Sequence, residues 1–191
     1  MTEPSIRDTV VATADDLFYS RGVQAVGMDE LRTGAGVSLK RLYREFPSKD
    51  AIVLAVLERR AHSWQACLSR EVDAAPTPRE KLLAIYDYLV GWTSEDTFRG
   101  CGFINTFGEL GSVNPDVAEA VRAHKEGFAD YVGRLAADVG LDPDVAPQLV
   151  LLAEGVQTMA AITHDATWAA TARAGATTLI DAGLATASSR R

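Results

Sequence analysis

The chain has 191 residues, 47% hydrophobic and 24% charged, with a net charge of −7. That balance excludes a disordered or collagen-like chain, and the two cysteines, Cys67 and Cys101, are too few and too far apart for a disulfide framework or a cysteine zinc site. No apolar run reads as the ~18 to 20 residues that span a bilayer, and the N-terminus lacks a basic-then-apolar leader, so no membrane partner and a cytoplasmic location are expected.

Taken in chain order, the spacing of apolar residues predicts helices and no strand. Ile6, Val10, Ala14, Leu17 and Phe18 form the first stripe, with Ser5 and Asp8 as a capping box and Gly22 as a stop. A short helix near Met28–Thr33 ends at Gly34 and Gly36, and Ser38 caps another to about Arg44. After Pro47, Ser48 caps a long helix reaching about Asp73, with Asp50 in its first turn. Thr77, Pro78 and Glu80 start a fifth helix. A loop, SEDTFRGCG, precedes a short helix Phe103–Leu110. Asn114-Pro115 opens a seventh helix, to about Val139. Two more follow, about Val145–Thr163 and Thr167–Leu184, and the final ATASSRR reads as a frayed tail.

Charge is uneven along this all-α chain. Residues 1–60 hold nine basic and nine acidic side chains, whereas residues 61–191 hold ten against seventeen. Within the neutral part, GAGVSLKRLYREFPSKD concentrates Lys40, Arg41, Arg44 and Lys49. Helix, glycine turn and helix is the geometry of a helix-turn-helix. Gly36 can take a positive φ, Val37 can lock the two helices, and Leu42 and Phe46 share an inward face. Ser38, Leu39, Lys40, Arg41, Tyr43 and Arg44 are left outward. Arg and Lys on such a helix can donate to guanine edges in the major groove, while Tyr43 and Lys49 suit phosphates. The competing reading is a merely solvated basic face; the turn, the caps and the inward set together favour DNA.

The segment MDELRTGAGVSLKRLYREFPSKDAIVLAV resembles the DNA-binding region of the tetracycline-repressor (TetR) family of bacterial transcription regulators. Its marks here are Gly22, Leu31, Ala35-Gly36-Val37-Ser38, Leu42-Tyr43, Phe46 and Ser48-Lys49. The resemblance implies a nine-helix architecture: a three-helix head at residues 1–47, and an effector-binding and dimerisation domain at 48–191 whose residues 48–73 form a connecting helix. It also implies a ligand enclosed by helices five to seven, and a homodimer through helices eight and nine. Gly27 stands where the family often has threonine, Arg32 where it often has alanine, and Glu45 where it often has histidine.

The acidic remainder carries Trp64, Trp92, Phe98, Phe103, Phe107, Phe128, Met159 and Trp168. Aromatics at helical spacing are ordinarily core, but in GCGFINTFGEL Asn105 and Glu109 fall on one face near Cys101. Polar groups set among aromatics, joined by His124, resemble a ligand pocket; the alternative is that Asn105 and Glu109 cap neighbouring helix ends. A metal held by Glu109 with His124 has little support, and no cofactor is expected. Small residues (Ala153, Gly155, Ala160, Ala161, Ala172, Gly175, Ala176, Gly183) suit a four-helix dimer interface, or else reflect alanine drift. The expected function is a ligand-responsive, dimeric DNA-binding regulator, a repressor released from a near-palindromic operator by a small, largely apolar effector. A thiol-based sensor using Cys101 is the alternative. An enzyme is disfavoured for want of a nucleophile elbow, phosphate loop or paired carboxylates.

Overall fold

The computed structural model describes residues 5–189. Among them are nine helices and no strand: α1 (Ile6–Arg21), α2 (Met28–Gly34), α3 (Leu39–Glu45), α4 (Lys49–Ala74), α5 (Pro78–Thr93), α6 (Gly102–Leu110), α7 (Pro115–Val139), α8 (Val145–Thr163) and α9 (Thr167–Ser189). Local chemistry sets most boundaries. Ser5 and Asp8 exchange capping bonds at α1, and Thr77 accepts from the Glu80 N–H ahead of Pro78 at α5. Gly36, at φ +65°, ends α2. There the Val37 and Gly36 N–H groups close back onto the carbonyls of Arg32 and Thr33, a C-terminal lock that needs the left-handed conformation glycine tolerates. The tail expectation needs correction, since α9 continues to Ser189. Nothing in TASS breaks a helix, and alanine favours one. Arg190 and Arg191 lie outside the described residues.

The chain separates into two compact units. Unit 1 runs to Ser63 and takes in Gly102–Ala123; unit 2 comprises Trp64–Cys101 and continues from His124. The sequence division after residue 47 therefore falls inside unit 1, which also holds α6. Unit 1 packs α1, α2 and α3 against one another around Val10, Ala14, Phe18, Leu31, Leu42 and Phe46, all buried. In unit 2, α5, α8 and α9 pack together around Tyr86, Leu89, Leu149, Ala153, Ala176 and Ile180. The Tyr86 hydroxyl donates to the Leu149 carbonyl at 2.6 Å inside this core.

Contrary to the expectation of no membrane-length apolar segment, α8 is long and apolar enough to cross a bilayer by length and composition. Of its buried face, Leu149, Ala153 and Val156 belong to the unit 2 core. On α9, the hydroxyls of Thr171, Thr177, Thr178 and Thr186 each donate to the carbonyl four residues earlier.

Candidate nucleic-acid interface

The α2–turn–α3 segment is fixed from inside. Leu31, Leu42 and Phe46 are fully buried, and the Arg7 guanidinium lies 4.3 Å over the Phe46 ring. Ser38 caps α3 by accepting from the Arg41 N–H. With Leu42 and Phe46 inward, helical geometry turns the intervening residues outward. Ser38, Leu39, Lys40, Arg41, Tyr43 and Arg44 are all exposed, Leu39 to 39% and Tyr43 to 48%. Among the described residues, Lys40 and Arg41 make no ion pair, so their charge is available to a polyanion.

Lys49 is half-buried, its Nζ 6.0 Å from the Phe18 ring centre. Ser48 accepts from the Ala51 N–H at 3.2 Å and so caps α4. Lys49 thus stands at the positive end of a helix, where anions are favoured. The departures noted in the sequence have definite placements. Gly27 starts α2 with no side-chain cap. Arg32 is engaged by Asp29 at 2.7 Å. Glu45 pairs weakly with Arg44 at 3.4 Å, which neutralises part of one candidate contact.

The residues expected to bind a ligand divide between the units. Unit 2 brings Trp64, Trp92, Phe98, His124 and Phe128 into one aromatic array. The Trp64 ring meets Phe128 at 5.2 Å and His124 at 5.3 Å edge-on. Tyr88, missed in the sequence, joins the array by an edge contact with Trp64 at 6.5 Å and by stacking on Trp92 at 6.3 Å. Trp92 in turn meets Phe98 at 5.0 Å. Helical spacing of Tyr88 and Trp92 (i, i+4) was the signal available for it. Burial pushes the Tyr88 hydroxyl up to about 12. Burial, followed by the nearby Lys125 charge, pulls His124 down to about 4, so its ring is neutral near pH 7.

Cys101 is buried, with its Sγ 3.4 Å from Lys125 Nζ. The same ammonium pairs with Glu154 at 2.6 Å. Neither Lys125 nor Glu154 stood out in the sequence, because their pairing spans 29 residues. Met159, on α8, is 37% exposed.

Phe103, Asn105, Phe107 and Glu109 belong to unit 1 instead. Phe103 is buried and Phe107 is 50% exposed. Glu109 is committed to the backbone: its Oε1 accepts from the Val23 N–H at 2.8 Å and its Oε2 from the Gln24 N–H at 2.7 Å. Gln24 returns a bond from Nε2 to the Glu109 carbonyl at 2.9 Å. The capping alternative raised for Glu109 therefore has a concrete form: the carboxylate closes the turn after α1. Among the described residues no group of three His, Cys, Asp or Glu side chains is placed to hold a metal.

Residues 10–56 match the family model described as bacterial regulatory proteins, tetR family. Over 137 residues the chain is 30% identical to the HTH-type transcriptional activator FasR of Mycolicibacterium smegmatis, covering 71% of this chain and 61% of that protein. It is 29% identical over 119 residues to the HTH-type transcriptional repressor ComR of Escherichia coli, covering 61% and 57%. The chain thus matches about three fifths of the length of these curated relatives. A solved TetR-family transcriptional regulator from Streptomyces coelicolor superposes with a TM-score of 0.87 at 28% identity, covering 94% of this chain and 96% of that one. A matching N-terminal family model and a full-length structural likeness together lead to one conclusion: the chain belongs to the TetR family of bacterial regulatory proteins.

Proposed function

We propose that the chain is a dimeric, ligand-responsive regulator of transcription that binds double-stranded DNA in the cytoplasm and acts as a repressor. The observation that carries this reading is the exposed cationic face of α3, held rigid by the locked turn before it and by Leu42 and Phe46 beneath it. A helix so presented fits the major groove. Lys40, Arg41 and Arg44 face base edges; Ser38, Tyr43 and Lys49 serve the phosphates, and Leu39 offers an apolar contact to a thymine methyl. One seven-residue helix reads too few bases for useful specificity, so two heads on a near-palindromic operator are required.

Support for the dimer comes from α8, where Leu151 and Ile162 are 72% and 71% exposed and Met159 shares their face. Gly155 lies between them with open space around it. An apolar stripe of this kind, next to α9, suits an isologous contact. The effector is a largely apolar molecule taken up by the aromatic array around Trp64, and it acts only insofar as it binds one arrangement of the dimer better than another.

The test is a gel shift against DNA flanking the chain's own gene. Arg41→Ala should weaken operator binding by about 1–3 kcal/mol, and Lys49→Ala should weaken all sequences alike and lower the salt slope by about one. Unchanged binding by both variants would remove the DNA reading. A reporter fused to the operator decides the sign of regulation: expression should rise when the protein is deleted, and a fall would make it an activator, as FasR is named. A second reading is favoured by the 3.4 Å approach of the Lys125 Nζ to the Cys101 Sγ, which sets a charged donor beside the thiol sulfur. If Cys101 is a sensor, Cys101→Ser should keep operator binding while abolishing its loss on treatment with a thiol-alkylating agent.

A further inference from the structure

Unit 1 contains a cavity of about 210 Å³ that the aromatic array does not share. Three helix faces wall it. From α1 come Phe18, Tyr19 and Gly22; from the first half of α4 come Val53, Val56 and Arg60. The third face is that of α6, where Gly102, Asn105, Thr106 and Glu109 recur at helical spacing. The two ends of that face differ in charge. At the α6 start, the Arg60 Nη1 lies 3.0 Å from where a Gly102 Cβ would sit, so the guanidinium rests against the glycine backbone. Arg60 is held there by Asp15, to which its Nε donates, and by the Tyr19 ring 4.1 Å beneath it. At the other end, Glu109 lies 3.1 Å from the Cβ position of Gly22.

Gly102 and Glu109 are two helical turns apart, about 10 Å along the axis. Donors therefore stand at one end, an acceptor at the other, and the apolar side chains of Phe18, Val53 and Val56 between them. Each Glu109 oxygen accepts one backbone N–H, and a carboxylate oxygen can take a second donor. The volume is below the ~300 to 1,000 Å³ of drug-sized pockets, so the occupant is small.

We propose that this cavity is a second binding site, for a small molecule with a carboxylate or carbonyl at one end, a hydroxyl or amine at the other and a short apolar body. The acceptor end meets Arg60, the donor end meets Glu109, and Asn105 lies alongside the body. An occupant of this kind ties α6 to the turn after α1 through the carboxylate that already holds that turn.

The probe is 4-hydroxybenzoate, titrated calorimetrically into the full-length chain, with benzoate and phenol each lacking one end. One saturable site per chain is expected, about tenfold tighter for 4-hydroxybenzoate than for either control. Asn105→Leu, which adds bulk to the lining without touching the Arg60–Asp15 pair, should weaken binding about tenfold while the free variant keeps the parent's helical content. Trp64→Ala should leave binding unaltered. Arg60→Gln should remove the preference for 4-hydroxybenzoate over phenol; if that variant does not fold, Asn105→Leu decides alone. Absence of saturable binding, equal binding of the three probes, or loss in Trp64→Ala with retention in Asn105→Leu would overturn the site.

Discussion

Unit 1 and unit 2 are built from different kinds of interaction. In unit 1, short helices are tied by side chains that reach backbone or charge over long sequence distances: Glu109 to Val23 and Gln24, Arg60 to Asp15, Arg7 to the Glu45 carbonyl. In unit 2, longer helices bury alanines, leucines and one deeply placed tyrosine, and most ion pairs lie at the surface, such as Arg79 with Asp181 and Arg173 with Asp87. The teaching is that a region presenting side chains outward for recognition has few left for its core and depends on directional bonds. A region free of that duty can rely on apolar packing.

Four measurements test this contrast. The largest effect is expected for Phe46→Ala, which empties a fully buried position in the smaller core and should cost about 3–5 kcal/mol. All three tryptophans, Trp64, Trp92 and Trp168, belong to unit 2. The fluorescence melt should therefore shift less than the far-ultraviolet helix signal, and equal shifts would show the units to unfold as one.

Next is Glu109→Ala, which strips two N–H groups of a charged acceptor. Each such bond contributes about 1.5–3 kcal/mol, so denaturation should show a loss of that order, borne by unit 1. A variant as stable as the parent would show the turn to be held by other contacts. In unit 2 the corresponding polar deletion, Tyr86→Phe, removes one neutral bond to Leu149 and should cost only about 1 kcal/mol in denaturant titration. A loss as large as that of Glu109→Ala would erase the contrast between the units.

The smallest effect lies on the pH axis. His124 has its folded pKa depressed to about 4 from 6.5 by burial, so the unfolded chain binds the proton more readily. Stability is complete above the unfolded value and falls as pH drops from about 6.5 toward 4. Because the ring is only half-buried, the change between pH 7 and pH 6 should stay below about 1 kcal/mol. A His124→Gln variant should lose that part of the pH dependence, and a parent whose stability rises on acidification would refute the assignment.

The same contrast explains what the sequence made legible. Helix starts and stops are local: Ser5 with Asp8, Thr77 with Pro78 and the lock at Gly36 each act within a few residues, so they could be read directly. The outward set on α3 followed from the inward pair Leu42 and Phe46. Glu109 could not be resolved between pocket and cap, because its partners are backbone groups 85 and 86 residues away that carry no side-chain signature. For the same reason the aromatic residues of α6 were grouped with Trp64, whereas Phe103 and Phe107 belong to unit 1. Lys125, between Cys101 and Glu154, carried no local signal, because those partners lie 24 and 29 residues away. Pairings of that range are set by packing, which periodicity along one helix does not encode.

The threonines of α9 carry a consequence for hydration. A threonine that donates its hydroxyl hydrogen to its own helix has spent its one side-chain donor there and meets water only as an acceptor. These positions of α9 therefore offer solvent fewer donors than their composition suggests. Covering such a position leaves no hydroxyl hydrogen without an acceptor, so the desolvation cost of a buried, unsatisfied donor does not arise there.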